Sequence, residues 1–240
     1  MGISKLSNTF RRVKLPRYCG AVIVAAGNAS RMGGVDKVMA PLAGEPMILH
    51  TVRAFQECPA IREIIIVTRE DLLQTIAHLC TAMDKVKAVV VGGKTRQESV
   101  HLGLNALSDK VKLTAIQDGA RPLVTTELID RTVRAADYFG AAAPAVPVKD
   151  TIKVEKGGVV ASTPDRSSLR AVQTPQVFDF DLIRGALKKA MESGAQITDD
   201  CSAVEQMGMT VKLVEGDERN IKVTTPMDLK IAELLMEERK

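Results

Sequence analysis

The sequence predicts an α/β fold: a mostly parallel sheet flanked by helices, with a protruding β-hairpin arm. Three observations carry this expectation. Short apolar runs of strand length alternate with helix-like segments from Ala21 to Val148, which is the pattern of strands joined by crossover helices. The first run, Ala21–Ala26, empties into a loop of small residues, Gly27 to Gly34. The alternation then breaks at Thr151–Ser162, where two polar-faced segments flank the turn Lys156-Gly157-Gly158, a hairpin signal.

In chain order, Met47–Gln56 reads as a helix and Ile61–Thr68, with its Ile64-Ile65-Ile66-Val67 run, as a buried strand. Glu70–Met83 carries Leu72, Leu73, Ile76, Leu79 and Cys80 on one stripe and is expected to be helical. Val86–Val91 is the third strand, ending at Gly92-Gly93, and Thr95 caps a helix over Arg96–Ala106. Lys112–Gln117 is the fourth strand and runs into Asp118-Gly119-Ala120-Arg121-Pro122. Thr125 caps a helix to Tyr138, and Ala141–Val148 is the fifth strand. Beyond the hairpin the chain returns through Arg166–Arg170 and Gln173–Gln176. Helices follow at Leu182–Met191 and Asp199–Met207, then a strand at Val211–Val214 and a last helix from Pro226 with Thr225 as its cap. The hairpin is polar on both faces and has no core of its own, so it should seek a partner surface, plausibly a second subunit.

Ligands bind such sheets at the carboxyl ends of the parallel strands. The polar clusters fall there: Gly27–Lys37, Gly92–Ser99, Asp118–Arg121 and Lys149–Thr151, with Asn220-Ile221-Lys222 before the last helix. A strand feeding a small-residue loop brings backbone N–H groups close to a phosphate, and Arg31 and Lys37 add full positive charge. The alternative for that loop is an ordinary strand-to-helix turn with two solvated cations. A dinucleotide fingerprint fails because Ala29 replaces its middle glycine and the acids after the second strand, Glu70 and Asp71, come too late. A P-loop fails because Gly34-Val35-Asp36-Lys37 does not supply its glycine-lysine pair.

Composition narrows the classes. At 240 residues the chain suits one domain that needs no disulfide or metal staple. Aromatics are 3% and Trp is absent, so the core must be aliphatic, and the composition argues against a stacking platform for single-stranded nucleic acid. The net charge is +4, and the basic cluster Lys5, Arg11, Arg12, Lys14 and Arg17 lies ahead of the first strand. It reads as a solvated N-terminal extension over residues 1–18, leaving residues 19–240 as a single domain with the arm at about 149–172. It lacks the apolar core of a secretion signal, and no apolar run is long enough to span a membrane. Cys19, Cys58, Cys80 and Cys201 are scattered, without metal or redox spacing, and read as reduced thiols of a cytoplasmic protein. His50, His78 and His101 are isolated, which argues against a histidine metal site or a Ser–His–Asp triad.

Ala25-Ala26-Gly27-x-x-x-Arg31-Met32-Gly33 with Lys37 resembles the signature of nucleotidyltransferases that activate sugars and polyols. Asp118-Gly119-Ala120-Arg121-Pro122, Val148–Lys153, Asp165-Arg166, Gln173-Thr174-Pro175-Gln176, Thr198-Asp199-Asp200 and Asn220–Thr224 narrow the resemblance. Together they resemble the 2-C-methyl-D-erythritol 4-phosphate cytidylyltransferase family over about residues 19–240. The chain departs from that family's usual loop at Ala29, where Gly or Ser is common, and at Asp36, where Pro often precedes the lysine. The related ribitol-5-phosphate cytidylyltransferases share the first loop, the Asp-x-x-Arg-Pro motif and the final lysine motif. The Asp165-Arg166-x-x-Leu169 and Val148-x-Asp150-Thr151 segments resemble the methylerythritol enzymes more closely.

The resemblance implies a Rossmann-like nucleotidyltransferase sheet, CTP as a substrate, Mg²⁺ as the divalent cation and a homodimer joined through the arm. It implies Arg31, Lys37, Arg166 and Lys222 as catalytic cations, and Ala25, Ala26, Gly27, Gly92, Gly93, Ser99 and Asp118 as nucleotide-binding residues. Thr151, Arg166, Thr174 and Lys222 would hold the polyol phosphate, with Thr151 and Arg166 reaching into the neighbouring subunit. Asp118 is the best candidate for Mg²⁺, as ligand or outer-shell partner, and Asn220 is second. Asp199 and Asp200 have helix capping as their alternative, Arg96 a place as a surface cation, and Arg166 a cap or salt bridge within the arm.

Overall fold

The computed structural model describes residues 16–27, 37–195 and 197–238. The chain order is β1 (Cys19–Ala25), β2 (Pro41–Leu42), β3 (Glu45–Pro46), α1 (Met47–Glu57), β4 (Ile61–Thr68), α2 (Leu73–Leu79), β5 (Val86–Val91) and α3 (Arg96–Asn105). There follow β6 (Leu113–Asp118), α4 (Thr126–Phe139), β7 (Ala141–Pro147), β8 (Val154–Lys156), β9 (Val159–Ser162), β10 (Arg170–Val172) and β11 (Gln176–Asp179). The remainder is α5 (Phe180–Ser193), α6 (Asp200–Glu205), β12 (Lys212–Glu215) and α7 (Pro226–Glu237).

β1 is the spine. It pairs in parallel with β4 on one side and β6 on the other, and β4 continues to β5. Its alternate side chains feed two aliphatic cores. Ala21 and Ile23 pack with α1 and α4 on one face, and Val22 packs with α3, α5 and α6 on the other. Burial on both faces explains why β1 and β4 read as continuous apolar runs. Phe55 and Phe178 are the largest of the fully buried side chains, so this core is indeed built mostly from Ile, Val, Leu and Ala.

The sheet departs from the expected pattern beyond β6. β11 runs antiparallel between β6 and β7, and β10 adds antiparallel pairing along β7. Thr174–Pro175, a cis peptide, lies between these two strands. β12 returns in parallel to β7. Two further expectations shift. The helix expected over Glu70–Met83 is a 3₁₀ turn at Glu70–Leu72 followed by the shorter α2. Arg17 and Tyr18, grouped by sequence with the basic extension, are held by the fold. The Arg17 guanidinium pairs with Asp137 at 2.6 Å and Asp179 at 2.9 Å, and the Tyr18 hydroxyl donates to Glu63. The rest of that extension lies outside the described residues.

β8 and β9 form the expected hairpin, exposed along its whole length, with Val159 and Val160 each more than half exposed. Gly157 and Gly158 take positive φ at its turn, as a two-residue hairpin loop requires.

α7 starts with a reciprocal cap. Thr225 accepts from the Asp228 amide, and Asp228 accepts from the amides of Thr224 and Thr225 and from the Thr224 hydroxyl, all three at 2.8 Å. Burial works to raise the Asp228 carboxyl, but these donors outweigh it and hold the group below its ordinary value. Asp228→Ala should therefore cost about 1 kcal/mol. Because the folded carboxyl is the stronger acid, the stabilisation is complete above the unfolded value of about 3.9 and fades as pH falls through the folded one. Thermal melts at pH 6 should separate variant from parent, and melts below about pH 4 should bring them together.

Candidate active site

The carboxyl ends of β1, β4, β5 and β6 open into a cleft of about 410 Å³. The end of β1 and the two residues after it contribute Ala25, Ala26 and Gly27 to its wall, and the turn after β5 contributes Gly92 and Gly93. Lys37, Arg96, Ser99, Asp118 and Lys222 complete its polar lining. The structure thus brings together all the residues expected to bind nucleotide, with Lys37 and Lys222. Arg31 lies outside the described residues.

The glycine wall is built for close approach. A methyl group on Gly92 would stand 2.5 Å from the Ala26 Cβ and 2.8 Å from the Ser99 Oγ, so only glycine lets the chain pass this close to its neighbours after β1 and in α3. Ser99 Oγ donates to the Thr95 carbonyl at 2.9 Å and accepts from the Gly93 amide at 3.1 Å. Thr95 caps α3 by accepting from the Glu98 amide, and Glu98 in turn accepts from the Lys94 amide. Four short-range bonds therefore fix the Gly92–Ser99 loop at the cleft wall.

Opposite this wall, Asp118 ends β6 and gathers three cations. Lys222 Nζ lies 2.8 Å from Oδ2, Arg121 Nε 3.7 Å from the same oxygen, and Arg96 Nε 3.6 Å from Oδ1. Burial works to raise the Asp118 carboxyl; Lys222, Arg96 and Arg121 outweigh it and hold the group ionised, below its ordinary value. Lys222 is brought here because the Val223 amide donates to the Ala120 carbonyl, and because Arg121 Nη1 donates to the Asn220 carbonyl at 2.6 Å.

Four of the expected residues meet specific partners at this point. Thr174, expected to touch the polyol phosphate, is 4% exposed, and its hydroxyl accepts from the Asp118 amide at 3.1 Å. Its position supports Asp118 instead. Asp118 as a direct Mg²⁺ ligand meets competition, since cations face both of its oxygens. Among the described residues no group of three or more His, Cys, Asp or Glu could hold a metal ion. Asn220 is committed through its amide to the Thr174 carbonyl at 2.9 Å. Asp199 takes the capping role at α6, accepting from the Ser202 amide at 2.9 Å.

Thr151 and Arg166 stand apart from this cleft, on the arm. Arg166 Nη1 donates to the Lys149 carbonyl at 2.6 Å and borders an open pocket with Val148 and Arg170. Within one chain, then, Arg166 makes the local contact that was its alternative reading.

Sequence reasoning missed the roles of two residues it had named. Arg121, three residues after Asp118, is an i,i+3 partner that the motif quoted without giving it a role. Asp200, fully buried, holds Arg96 Nη2 at 2.7 Å across 104 positions of sequence. Spacing gives no sign of that link.

A family model for 2-C-methyl-D-erythritol 4-phosphate cytidylyltransferase (IspD) matches residues 19–238. The chain belongs to this cytidylyltransferase family. Among curated members, the 2-C-methyl-D-erythritol 4-phosphate cytidylyltransferase of Caldanaerobacter subterraneus is 46% identical over 226 residues, covering 90% of this chain and 97% of the relative. That of Symbiobacterium thermophilum is 45% identical over 219 residues, covering 90% and 92%. The fold agrees as well. A crystal structure of 4-diphosphocytidyl-2C-methyl-D-erythritol synthase from Anaerococcus prevotii superposes with a TM-score of 0.84 at 31% identity, covering 92% of this chain and 96% of that one. The Thermus thermophilus family member gives 0.74 at 32%, covering 92% and 99%. The family match spans the whole cleft, from Ala25 to Lys222.

Proposed function

We infer that this protein joins CTP to 2-C-methyl-D-erythritol 4-phosphate, giving 4-diphosphocytidyl-2-C-methyl-D-erythritol and pyrophosphate. The observation that carries this reading is the Asp118–Lys222 pair facing the glycine wall across one cleft, in a chain of this family. An oxygen of the acceptor phosphate attacks the α-phosphorus of CTP, and the bond from that phosphorus to the bridging oxygen breaks in line, releasing pyrophosphate. A phosphate monoester has its second pKa at about 6 and is largely a dianion at neutral pH, so the nucleophile needs no general base. The work left to the protein is to align two polyanions and to offset their repulsion.

Lys37 and Arg31 take the triphosphate, and Lys222 bridges the α-phosphate and the incoming phosphate. Asp118 aims Lys222. The Gly92–Gly93 backbone and Ser99 receive the base, where the lack of side chains favours a pyrimidine. Mg²⁺ enters as the nucleotide's companion. Asp118 is the residue that would face it, as ligand or outer-shell partner, and the ion would supply neutralisation of phosphate charge.

The arm, residues 149–172 of a single domain that begins at about residue 19, makes the homodimer. Its Ile152, Val154, Val159 and Val160 are exposed apolar side chains on an otherwise polar hairpin that has no core of its own, and the dimer lets Thr151 and Arg166 serve the partner's acceptor site. None of the described helices is long and apolar enough to cross a membrane. All four cysteines are buried and free, which suits a reducing cytoplasm.

Pyrophosphate release from CTP and Mg²⁺ tests the reaction, with 2-C-methyl-D-erythritol 4-phosphate and ribitol 5-phosphate compared as acceptors and ATP and UTP as nucleotide controls. Turnover with the first acceptor and CTP is expected; turnover with ribitol 5-phosphate alone overturns the assignment. Subunit mixing tests the arm. Lys222→Ala and Arg166→Ala homodimers should each be nearly inactive, and co-refolding them should restore a quarter or so of the sites, because half the dimers are mixed and each then holds one intact site. Failure of the mixture to regain activity removes the shared site.

A further inference from the structure

We propose that Asp200 is a positioning residue of the transfer reaction: it fixes the Arg96 guanidinium on the cleft wall and, through it, the Asp118 carboxylate that aims Lys222. The inference rests on the cytidylyl-transfer reading above and adds a residue with no contact to either substrate.

Asp200 is fully buried at the first turn of α6. Its carboxylate is not needed to cap that helix, because Asp199 already accepts from the Ser202 amide and the Ser202 hydroxyl donates back to the Asp199 carbonyl. Asp200 Oδ2 takes Arg96 Nη2 at 2.7 Å, while Oδ1 has no hydrogen-bond partner. A buried carboxylate with one oxygen unpaired is a cost to the fold, and a buried ion pair is commonly matched or bettered in stability by an apolar pair. Stability alone is therefore a poor reason for this arrangement.

The geometry supplies a better one. Arg96 is one-third exposed; its inner nitrogen is tied to Asp200, and its Nε faces Asp118 Oδ1 at 3.6 Å within the cleft. Asp118 then holds Lys222 at 2.8 Å. Asp200, Arg96, Asp118 and Lys222 form a line of alternating charge from the interior of the second core to the cation that would bridge the two phosphates.

The inner end of that line is itself fixed. Gln176, at the start of β11, donates to Asp199 Oδ2 at 2.7 Å and accepts from the Cys201 amide at 3.0 Å. These two bonds bracket Asp200. The same turn of chain holds Thr174, whose hydroxyl takes the Asp118 amide. Residues 174–176 thus secure Asp118 directly through its backbone and indirectly through Asp200 and Arg96. An arginine with a long, flexible stem would otherwise sample several rotamers at the cleft wall, and a misplaced cation beside the reacting phosphates is costly even at small displacements.

The test compares the full-length parent with Asp200→Asn, Asp200→Glu, Arg96→Gln and the double variant Asp200→Asn/Arg96→Gln, reading kcat, KM for each substrate and CTP affinity by calorimetry in Mg²⁺. Asp200→Asn should melt as a folded protein, bind one CTP per site and lose on the order of 10²-fold in kcat/KM. In the Arg96→Gln background the same substitution should change nothing further, because its effect runs through Arg96. Folded Asp200→Asn with parental kcat, KM and CTP affinity overturns the inference, as does a double variant in which the two losses multiply. Should Asp200→Asn fail to fold, Asp200→Glu keeps the charge but pushes Arg96 outward; parental kinetics in that variant overturn the inference equally. A parent that releases no pyrophosphate from CTP and the methylerythritol phosphate contradicts the reading of the reaction instead. CTP affinity then decides about Asp200: it should fall in Asp200→Asn by the same factor as in Arg96→Gln, and parental affinity sinks the proposal.

Discussion

Lys222→Ala is expected to lower turnover by about 10²–10³-fold, the scale for losing one preorganised donor at a developing charge, while leaving thermal stability close to that of the parent. The two halves of this expectation have separate causes. The Lys222 side chain is 40% exposed, so its ion pair contributes little to folding once solvent screening is counted. Asp118 also retains Arg96 and Arg121 when the lysine is gone, so the carboxylate is not stranded. In the transfer reaction, by contrast, nothing replaces an ammonium placed between two phosphates. Lys222→Arg should recover part of the rate, because a planar fork carries the charge but cannot occupy the position of a compact ammonium. Steady-state pyrophosphate release and a melting curve on the same preparations measure both. A fall in melting temperature proportionate to the loss of rate would make Lys222 a structural residue.

Asp118→Ala should show the opposite balance, losing stability and activity together. The Asp118 side chain is only 10% exposed and that of Arg121 only 11%, and removing the carboxylate leaves the buried guanidinium without its counter-charge. Breaking a buried pair in this way costs about 3–5 kcal/mol, which for a domain of this size is a drop of roughly 10 °C in melting temperature. The pH dependence follows from the depressed carboxyl. Its stabilising contribution is complete above the unfolded value of about 3.9 and is lost as pH falls through the lower folded value. The gap in melting temperature between parent and Asp118→Ala should be widest near neutrality and shrink in acid below about pH 4. A gap that stays constant down to pH 3 would mean that the three cations do not depend on this carboxylate.

How far the fold was legible depended on whether local pattern and tertiary pairing agreed. β4 and β5 were read from sequence to the residue, because Ile64–Val67 and Val86–Val91 are apolar runs bounded by polar turns. β10 and β11 were not. Gln176-Val177-Phe178-Asp179 has two apolar residues, follows a proline and becomes a strand only by filling the slot between β6 and β7. α2 was drawn too long because the Leu72–Cys80 stripe continues past Leu79, where the helix stops.

The site divides in the same way. The rule that ligands gather at strand carboxyl ends brought Gly92, Gly93, Ser99 and Asp118 to one cleft. The same rule could not show that Thr174 would turn to the Asp118 amide, nor that Arg96 would find Asp200. Both bonds arise from how β11 and α6 pack onto the sheet, and both join residues more than 50 positions apart.

The placement of β11 has a consequence for the integrity of the chain. Everything after the exposed Gly157–Gly158 turn, from β9 to α7, is sewn back into the first half through β6 and β7. A protease that nicks this turn would cut a loop that packs against nothing else within its own chain. The two fragments would stay interlocked, one bringing Asp118 and the glycine wall, the other Thr174, Asp200 and Lys222. Neither fragment alone has a reaction centre. The enzyme is in effect two half-machines spliced at the hairpin, and the continuity of its backbone there matters less than the strand pairing that closes around it.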